Sequence, residues 1–332
     1  MKHRLLTLAL AASAVLPVNG QKVPLVKALT DEWPEIVKVD GIEIVHVQKN
    51  IYMLVGGGAN VTLQIGDEGA FLVDAGGPGQ GERIVAAVRH LTRKPLRFLV
   101  NTGADADKIG GNGEVVAAAG GPTGVVAGAA GRPANTGILT VAHENTVNRM
   151  TAGSPGMPAL SGDAVPLSTF FTAKKDFYAN GEAVQILYQP HARTDGDVIV
   201  FFRGTDVIST GDLFRTDSYP VIDPTKGGTI QGELDALNAL LDLAVPERNQ
   251  MGGTRLVPGH GRVCNEADLL EYRDMLTIIR DRVADLVKQN MTIEQIKAAK
   301  PTLEYDGIYG NNEEMTGNRL LEVIYHDLTQ KK

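Results

Sequence analysis

Short apolar runs separated by glycine-rich turns dominate the first third of the chain. Runs at 42–47, 51–55, 61–65 and 70–73 each have strand length, and Gly56, Gly57 and Gly58, then Gly66, Asp67, Glu68 and Gly69, break them as hairpin turns. From 81 to 91 the period changes, with Ile84, Val85, Val88 and Leu91 at helical spacing. A buried strand is predicted at 96–100, a strand followed by a helix within 138–150, and loop over 151–165. The second half repeats the theme, with strands at 183–188, 198–202, 207–209 and 255–257. Leu234, Leu237, Leu240 and Leu241 give a helix over 230–243 one apolar face. Asn265 caps a long helix to Gln289, with Leu269, Leu270, Tyr272, Met275, Ile278 and Ile279 spaced for burial. Thr292 and Gln295 form a capping box for a short helix that stops before Pro301. Residues 120–137, rich in Gly, Ala and Pro, show no period. Strands and helices alternating through two similar halves make this an α/β chain.

Composition narrows the partners. With 332 residues, 43% hydrophobic and 21% charged, the chain can bury a full core. The first twenty residues stand apart. Lys2, His3 and Arg4 precede an apolar stretch over 5–16 that is too short to span a bilayer. Small residues at 12–14 and 18–20 suit cleavage, so 1–20 reads as a secretory signal peptide, cut between Ala14 and Gly20. The expected location is exported, periplasmic or secreted. Loss of Lys2 and Arg4 makes a formal charge of −7 two units more acidic. An acidic chain without a basic cluster argues against nucleic acid and anionic membranes. No later apolar run reaches membrane-spanning length. The expected partner is a small-molecule substrate or an anionic ligand, with the oligomeric state left open. The single cysteine, Cys264, excludes an internal disulfide and reads as packing. His143 reads as structural, and His46 and His90 as surface or strand residues without partners.

Residues 101–112, N-T-G-A-D-A-D-K-I-G-G-N, lie between the 96–100 strand and an Ala-rich helical pattern, where α/β proteins place chemistry. They resemble the first metal-binding signature of the metallo-beta-lactamase superfamily, N-T-H-x-H-x-D-H-x-G-G-N. Asn101, Thr102, Asp107, Gly110, Gly111 and Asn112 fit that frame, while Gly103, Asp105 and Lys108 stand where its three histidines would. Four further elements follow the family order. Residues 72–76 look like its L-V-D-x-G element, 190–197 like the segment in which a histidine would stand at Arg193, 209–214 like its G-D element, and 257–261 like its P-G-H-G element. The resemblance implies a four-layer αββα sandwich over 41–265, with an entry segment over 21–40 and a C-terminal helical extension over 266–332.

In the intact family site two zinc ions share a water whose pKa they lower, and the resulting hydroxide attacks a carbonyl or similar centre. Carried over by position, the first metal would have Gly103, Asp105, Arg193 and Asp212, and the second Asp107, Lys108, Asp212 and His260. Glycine has no ligand atom and arginine stays cationic, so the pair of metals is not supported. Two states remain open: one divalent metal, zinc first, on Asp107, Asp212 and His260 with Asp105 as a fourth ligand, or none. His191, two residues before Arg193, is a substitute ligand if that segment is extended. The first function implied is a hydrolase-like protein with a depleted, at most mononuclear site acting on an ester, lactone or lactam. There Asp107 or Asp105 would orient water, and Lys108 or Arg193 would bind a carboxylate or an oxyanion. The alternative is a non-catalytic pseudoenzyme binding an anionic small molecule, with Lys108 and Arg193 balancing Asp105, Asp107 and Asp212 in place of metal. A metal-independent enzyme using a Lys108 of lowered pKa is a third.

Overall fold

Two sheets form because two sets of strands each turn one apolar face to the other set and one to helices. The computed structural model describes residues 37–122, 137–153, 158–250 and 252–330. In its first sheet β1 (Val37–Val39), β2 (Ile42–Gln48), β3 (Ile51–Val55), β4 (Val61–Ile65), β5 (Ala70–Val73), β6 (Leu96–Val100), β7 (Leu139–His143) and β8 (Ser168–Phe170) lie side by side in chain order. The strands are antiparallel up to β5 and parallel from there on. The second sheet runs in the order β13-β12-β11-β10-β9. In it β9 (Lys174–Ala179), β10 (Glu182–Tyr188), β11 (Val198–Phe202) and β12 (Val207–Arg215) are antiparallel, and β13 (Arg255–His260) is parallel to β12.

Helices cover both outer faces. The helices α1 (Gly81–Leu91), α2 (Ala106–Ile109), α3 (Asn112–Ala118) and α4 (Glu144–Ala152) belong to the first half. Those of the second are α5 (Ile230–Leu243), α6 (Glu266–Lys288), α7 (Ile293–Ala299), α8 (Asp306–Tyr309) and α9 (Gly317–Thr329). Ile84 and Val88 of α1 and Val115 and Val116 of α3 bury against Leu54, Leu63 and Leu72. Leu234 and Leu237 of α5, Leu269 and Tyr272 of α6, and Leu320 and Ile324 of α9 share one core with Ile199, Ile208 and Leu256. Between the sheets, Met53, Phe71, Val73 and Val100 meet Val184, Ile186, Val200 and Phe202, and the Phe71 ring stands edge-on to Phe202 at 5.4 Å. These are the four layers of an αββα sandwich.

Two buried polar links cross the inter-sheet core: Thr62 Oγ1 donates to Ser209 Oγ at 3.0 Å, and Gln64 Nε2 to Glu182 Oε1 at 2.5 Å. A buried polar group without a partner is costly, so links of this kind favour one alignment of the sheets over its neighbours. The structure differs from the periodicity at sheet edges, at strand ends and in helices that the periodicity left out. The strand expected at 207–209 runs on to Arg215 and that at 255–257 to His260, so the G-D and P-G-H elements are strand. Edge strands β1, β8 and β9 and helices α2, α8 and α9 are additional, β1 within the segment expected as a loose entry. Within the loop expected at 151–165, residues 162–164 form a short 3-10 helix. The proposed signal peptide and most of the 21–40 segment lie outside the described residues, as do 123–136 and 154–157.

Loops at one end of both sheets hold residues 101–112. Gly58 has a φ of 106°, and a Cβ there would sit 2.7 Å from Asp107 O and 2.8 Å from Gly77 N. The next residue, Ala59, donates its N–H to Asp107 O at 3.1 Å. Gly58→Ala combines a left-handed backbone with two backbone clashes. It should cost at least about 1–3 kcal/mol, read as a lowered thermal midpoint; an unchanged midpoint would show that this loop does not brace Asp107.

Candidate functional site

The frame residues of 101–112 serve the backbone. Asn101 and Asn112 clamp the two ends of the segment with reciprocal amide bonds, Asn101 Nδ2 to Asn112 Oδ1 at 3.0 Å and Asn112 Nδ2 to Asn101 Oδ1 at 2.9 Å. Asp74 accepts from Thr102 N at 2.8 Å and from Thr102 Oγ1 at 2.7 Å. A Cβ at Gly110 would collide with Pro78, and one at Gly111 with Ala75 O. Each of these residue types is required by geometry, whether or not a metal binds.

The side chains inside the frame make a charge cluster. Lys108 is wholly enclosed, at 0% exposure, and its Nζ lies 3.0 Å from Asp212 Oδ2 and 3.2 Å from Asp105 Oδ2. Buried Arg193 pairs through Nη2 with Asp105 and stands 3.6 Å from Asp197 Oδ1. Asp197 is fixed in turn by Thr194, which donates from N at 2.5 Å and from Oγ1 at 3.1 Å. On the open side His260 Nε2 is 2.9 Å from Asp107 Oδ2 and 3.7 Å from Asp212 Oδ1. Gly259 permits this approach, because a Cβ there would strike the Asp212 carboxylate. The step from Gly211 to Arg215 on β12 matches the shorter step from Pro258 to His260 on β13, so β12 bulges between Gly211 and Arg215 and sets Arg215 beside His260.

The electrostatics follow from burial and pairing. Burial alone would lower the Lys108 pKa, but Asp212 and then Asp105 more than offset it and hold the ammonium charged. This contradicts the reading of Lys108 as a lysine of lowered pKa. Burial would raise Asp105 and Asp212, yet Arg193 with Lys108 in the first case, and Lys108 with Arg193 in the second, bring both below the usual carboxylate range. Burial pushes Asp74 up to about 7 against the pull of Lys108.

The structure brings Asp105, Asp107, Lys108, Arg193, Asp212 and His260 together. It leaves His191 out: φ is 54°, the segment turns instead of extending, and the exposed ring reaches Gly227 O through Nδ1 at 3.1 Å. Gly103 faces the cluster without a donor, since a Cβ there would lie 3.4 Å from Asp105 Oδ2 and 3.5 Å from Lys108 Nζ. The donors do not fit the family's zinc pair, because two cations stand where ligands would. Among the described residues no group of three or more His, Cys, Asp or Glu side chains is arranged to hold a metal ion. His143 caps α4, accepting from Asn145 N at 3.3 Å, and stacks on Tyr188 at 3.9 Å. His46 bonds Lys49 O at 2.7 Å and His90 is exposed on α1. Burial pushes the Cys264 thiol up to about 12.

The cluster forms the floor of a cleft of about 540 Å³ lined by Asp105, Asp107, Arg193, Asp212, Arg215, Asp223, Lys226, His260, Glu314 and Arg319, among others. Several of these escaped sequence reasoning. Arg215 is only 7% exposed, its side chain makes no hydrogen bond among the described residues, and Asp217 is its ion-pair partner at 3.8 Å. Its one sequence signal was an arginine three residues after Asp212. Arg319 arrives from α9 and donates to Glu313 O and Glu314 O at 2.8 and 2.9 Å. Glu233 is fully buried on α5, and neither carboxylate oxygen has a hydrogen-bond partner among the described residues. Burial, then repulsion from Asp197, raises its pKa well above normal.

Residues 54–260 match the model of the metallo-beta-lactamase superfamily. The fold resembles that of the stereoselective inverting sec-alkylsulfatase Pisa1 from Pseudomonas sp., at 14% identity and a TM-score of 0.62, covering 85% of this chain and 49% of that one. It also resembles the metallo-beta-lactamase from Pontibacter korlensis, at 19% and 0.53, covering 71% and 99%, and DIM-1 metallo-beta-lactamase, at 16% and 0.53, covering 72% and 99%. The chain thus spans about half the length of the alkylsulfatase. No curated protein matches it.

Lys108→Met leaves Asp105 and Asp212 buried with one cation fewer, and should lower unfolding free energy by about 3–5 kcal/mol in urea titrations. A loss below about 1 kcal/mol would mean that solvent, not Lys108, balances those carboxylates. Glu233 gives a pH test. Its raised pKa means that the folded chain keeps a proton which the unfolded chain releases above about 4.5, so its contribution falls as pH rises from there. Glu233→Gln should raise the thermal midpoint more at pH 8 than at pH 5, and an equal gain at both would refute the assignment.

Proposed function

We propose, from the premise that the chain belongs to the metallo-beta-lactamase superfamily, that its cleft binds a small anionic molecule without metal. The observation that carries this is Arg215. A guanidinium nearly sealed from water, with its ion-pair partner no closer than 3.8 Å, is costly to keep, and a carboxylate, sulfate or phosphate would satisfy its planar donors. Arg319 lines the same cleft and, among the described residues, its guanidinium bonds only backbone carbonyls. Lys108 and Arg193 have another role in this reading. They spend their charge on Asp105, Asp197 and Asp212, and so replace a metal instead of gripping the ligand. The mononuclear hydrolase is disfavoured for the same reason, since Lys108 Nζ is seated against Asp212.

A second reading rests on His260 and Asp107. A histidine held by a carboxylate at 2.9 Å and opening on the cleft is placed to act as a general base. It would activate water against an ester, lactone or lactam whose anionic group sits at Arg215. The basic start and short apolar run of residues 1–20 support export of the protein, and residues 266–332 are best regarded as a helical extension of the 41–265 domain.

The test is thermal shift and calorimetry of the full chain with acetate, sulfate and phosphate. Saturable binding by at least one anion, weakened about tenfold or more in Arg215→Ala and unaltered by zinc or chelator, is the expected result. No anion binding, together with one tightly held zinc per chain, would overturn it. Turnover of an anionic ester, if seen, should vanish in His260→Gln while anion affinity persists.

A further inference from the structure

Beside this cleft lies a second cavity of about 470 Å³, and the two share Ala104, Asp105 and Lys226 in their walls. Their chemistry differs. The first holds the guanidiniums of Arg193, Arg215 and Arg319. The second runs along α4, and the cations on its walls are already matched. Arg149 pairs with Asp195 and donates from Nη2 to Lys226 O at 2.7 Å, while Lys226 Nζ is 3.0 Å from Asp223 Oδ2. A second anion entering here would find no unmatched cation. What the chamber does offer is Asn148, exposed on α4, whose side-chain amide makes no hydrogen bond among the described residues. Around it Ala104, Ala152 and Gly153 leave room. An amide presents donors and an acceptor together, which suits a hydroxyl or amide group and gives no preference to a charge.

Resting on the anion-binding reading above, we propose that the two cavities act as one bipartite cleft. Its ligand has an anionic head, seated at Arg215 and Arg319, and a neutral tail bearing hydroxyl or amide groups. The tail passes Asp105 and Lys226 into the α4 chamber and bonds Asn148. A bare anion would use only the first cavity. The tail therefore supplies the discrimination between ligands, while the head supplies the attraction that brings any of them in.

The experiment is calorimetric titration of the full chain with matched probes: phosphate against glucose 6-phosphate, sulfate against glucose 6-sulfate, acetate against glucuronate. In at least one pair the sugar-bearing probe should bind about tenfold tighter than the bare anion, and that pair identifies the head. Asn148→Leu should remove most of the advantage and Ala152→Trp, which fills the chamber from an exposed helix position, all of it. Both should leave the bare anion unchanged. Equal affinity within every pair, or an advantage that survives both variants, would overturn the bipartite cleft and leave the anion-binding reading standing. Failure of all six probes to bind, or binding that Arg215→Ala does not weaken, would overturn the anion-binding reading and this inference with it.

Discussion

The ammonium of Lys108, sealed between Asp105 and Asp212, is the interaction on which the rest of the site depends. The ends of both sheets direct carboxylates at one point, and water is excluded from much of it. Carboxylates crowded in that way need a cation, and an unpaired buried charge costs several kcal/mol. A bound metal is one solution. A lysine carried on α2 is another, and it is tied to the chain, since Ala75 N and Ala59 N bond the carbonyls of Lys108 and Asp107. With Lys108 in place, Arg193 pairs with the same Asp105 oxygen, Thr194 holds Asp197, and Gly103 lies beside the cluster without adding a polar side chain to it.

The site therefore divides into an interior of close ion pairs and an opening where Arg215 has no close partner. Lys108 and Arg193 face Asp105, Asp197 and Asp212, and Lys226 faces Asp223. Arg215 has no such close partner, and its position is set by the bulge of β12 against β13. A ligand approaching the cleft meets a floor whose two cations are already paired with carboxylates, and a guanidinium at its side. The attraction it feels is local and arises from two arginines, although the protein carries a net negative charge.

The fold was legible in the sequence because its markers serve geometry. Asn101, Asn112, Gly110 and Gly111 close a segment that admits few alternatives, and they remain recognisable although Gly103, Asp105 and Lys108 stand between them. The location of the candidate site followed from the same frame. Its chemistry did not, for physical reasons that differ by residue. His191 was expected to project beside Arg193, but its left-handed φ turns the segment, and a positive φ at a non-glycine residue leaves little trace in a pattern of apolar positions. Lys108 read equally as ligand-binding cation or internal counter-ion until its enclosure was known. Arg319 and Glu233 come from helices far along the chain, and only tertiary packing places them at or behind the cleft. The extension of β12 to Arg215 was hidden because Gly211 and Asp212 resemble turn residues, and pairing with β13 overrides that local preference.

Arg215 also bears on whether this pocket is a remnant or a working site. A remnant has no use for a buried guanidinium lacking a close partner, and replacing it with an apolar side chain of similar length would relieve a desolvation cost at no functional loss. The interior shows that this chain does match buried charges where the fold alone is at stake: Lys108 and Arg193 are each in contact with carboxylates. A guanidinium whose only ion-pair partner among the described residues is 3.8 Å away is stabilised when an anion binds, because a ligand that binds only the folded state adds stability in proportion to the logarithm of its concentration over its Kd. The same residue that weakens the empty protein would then strengthen the occupied one. That coupling is what a binding site requires and what a purely structural salt-bridge network does not provide.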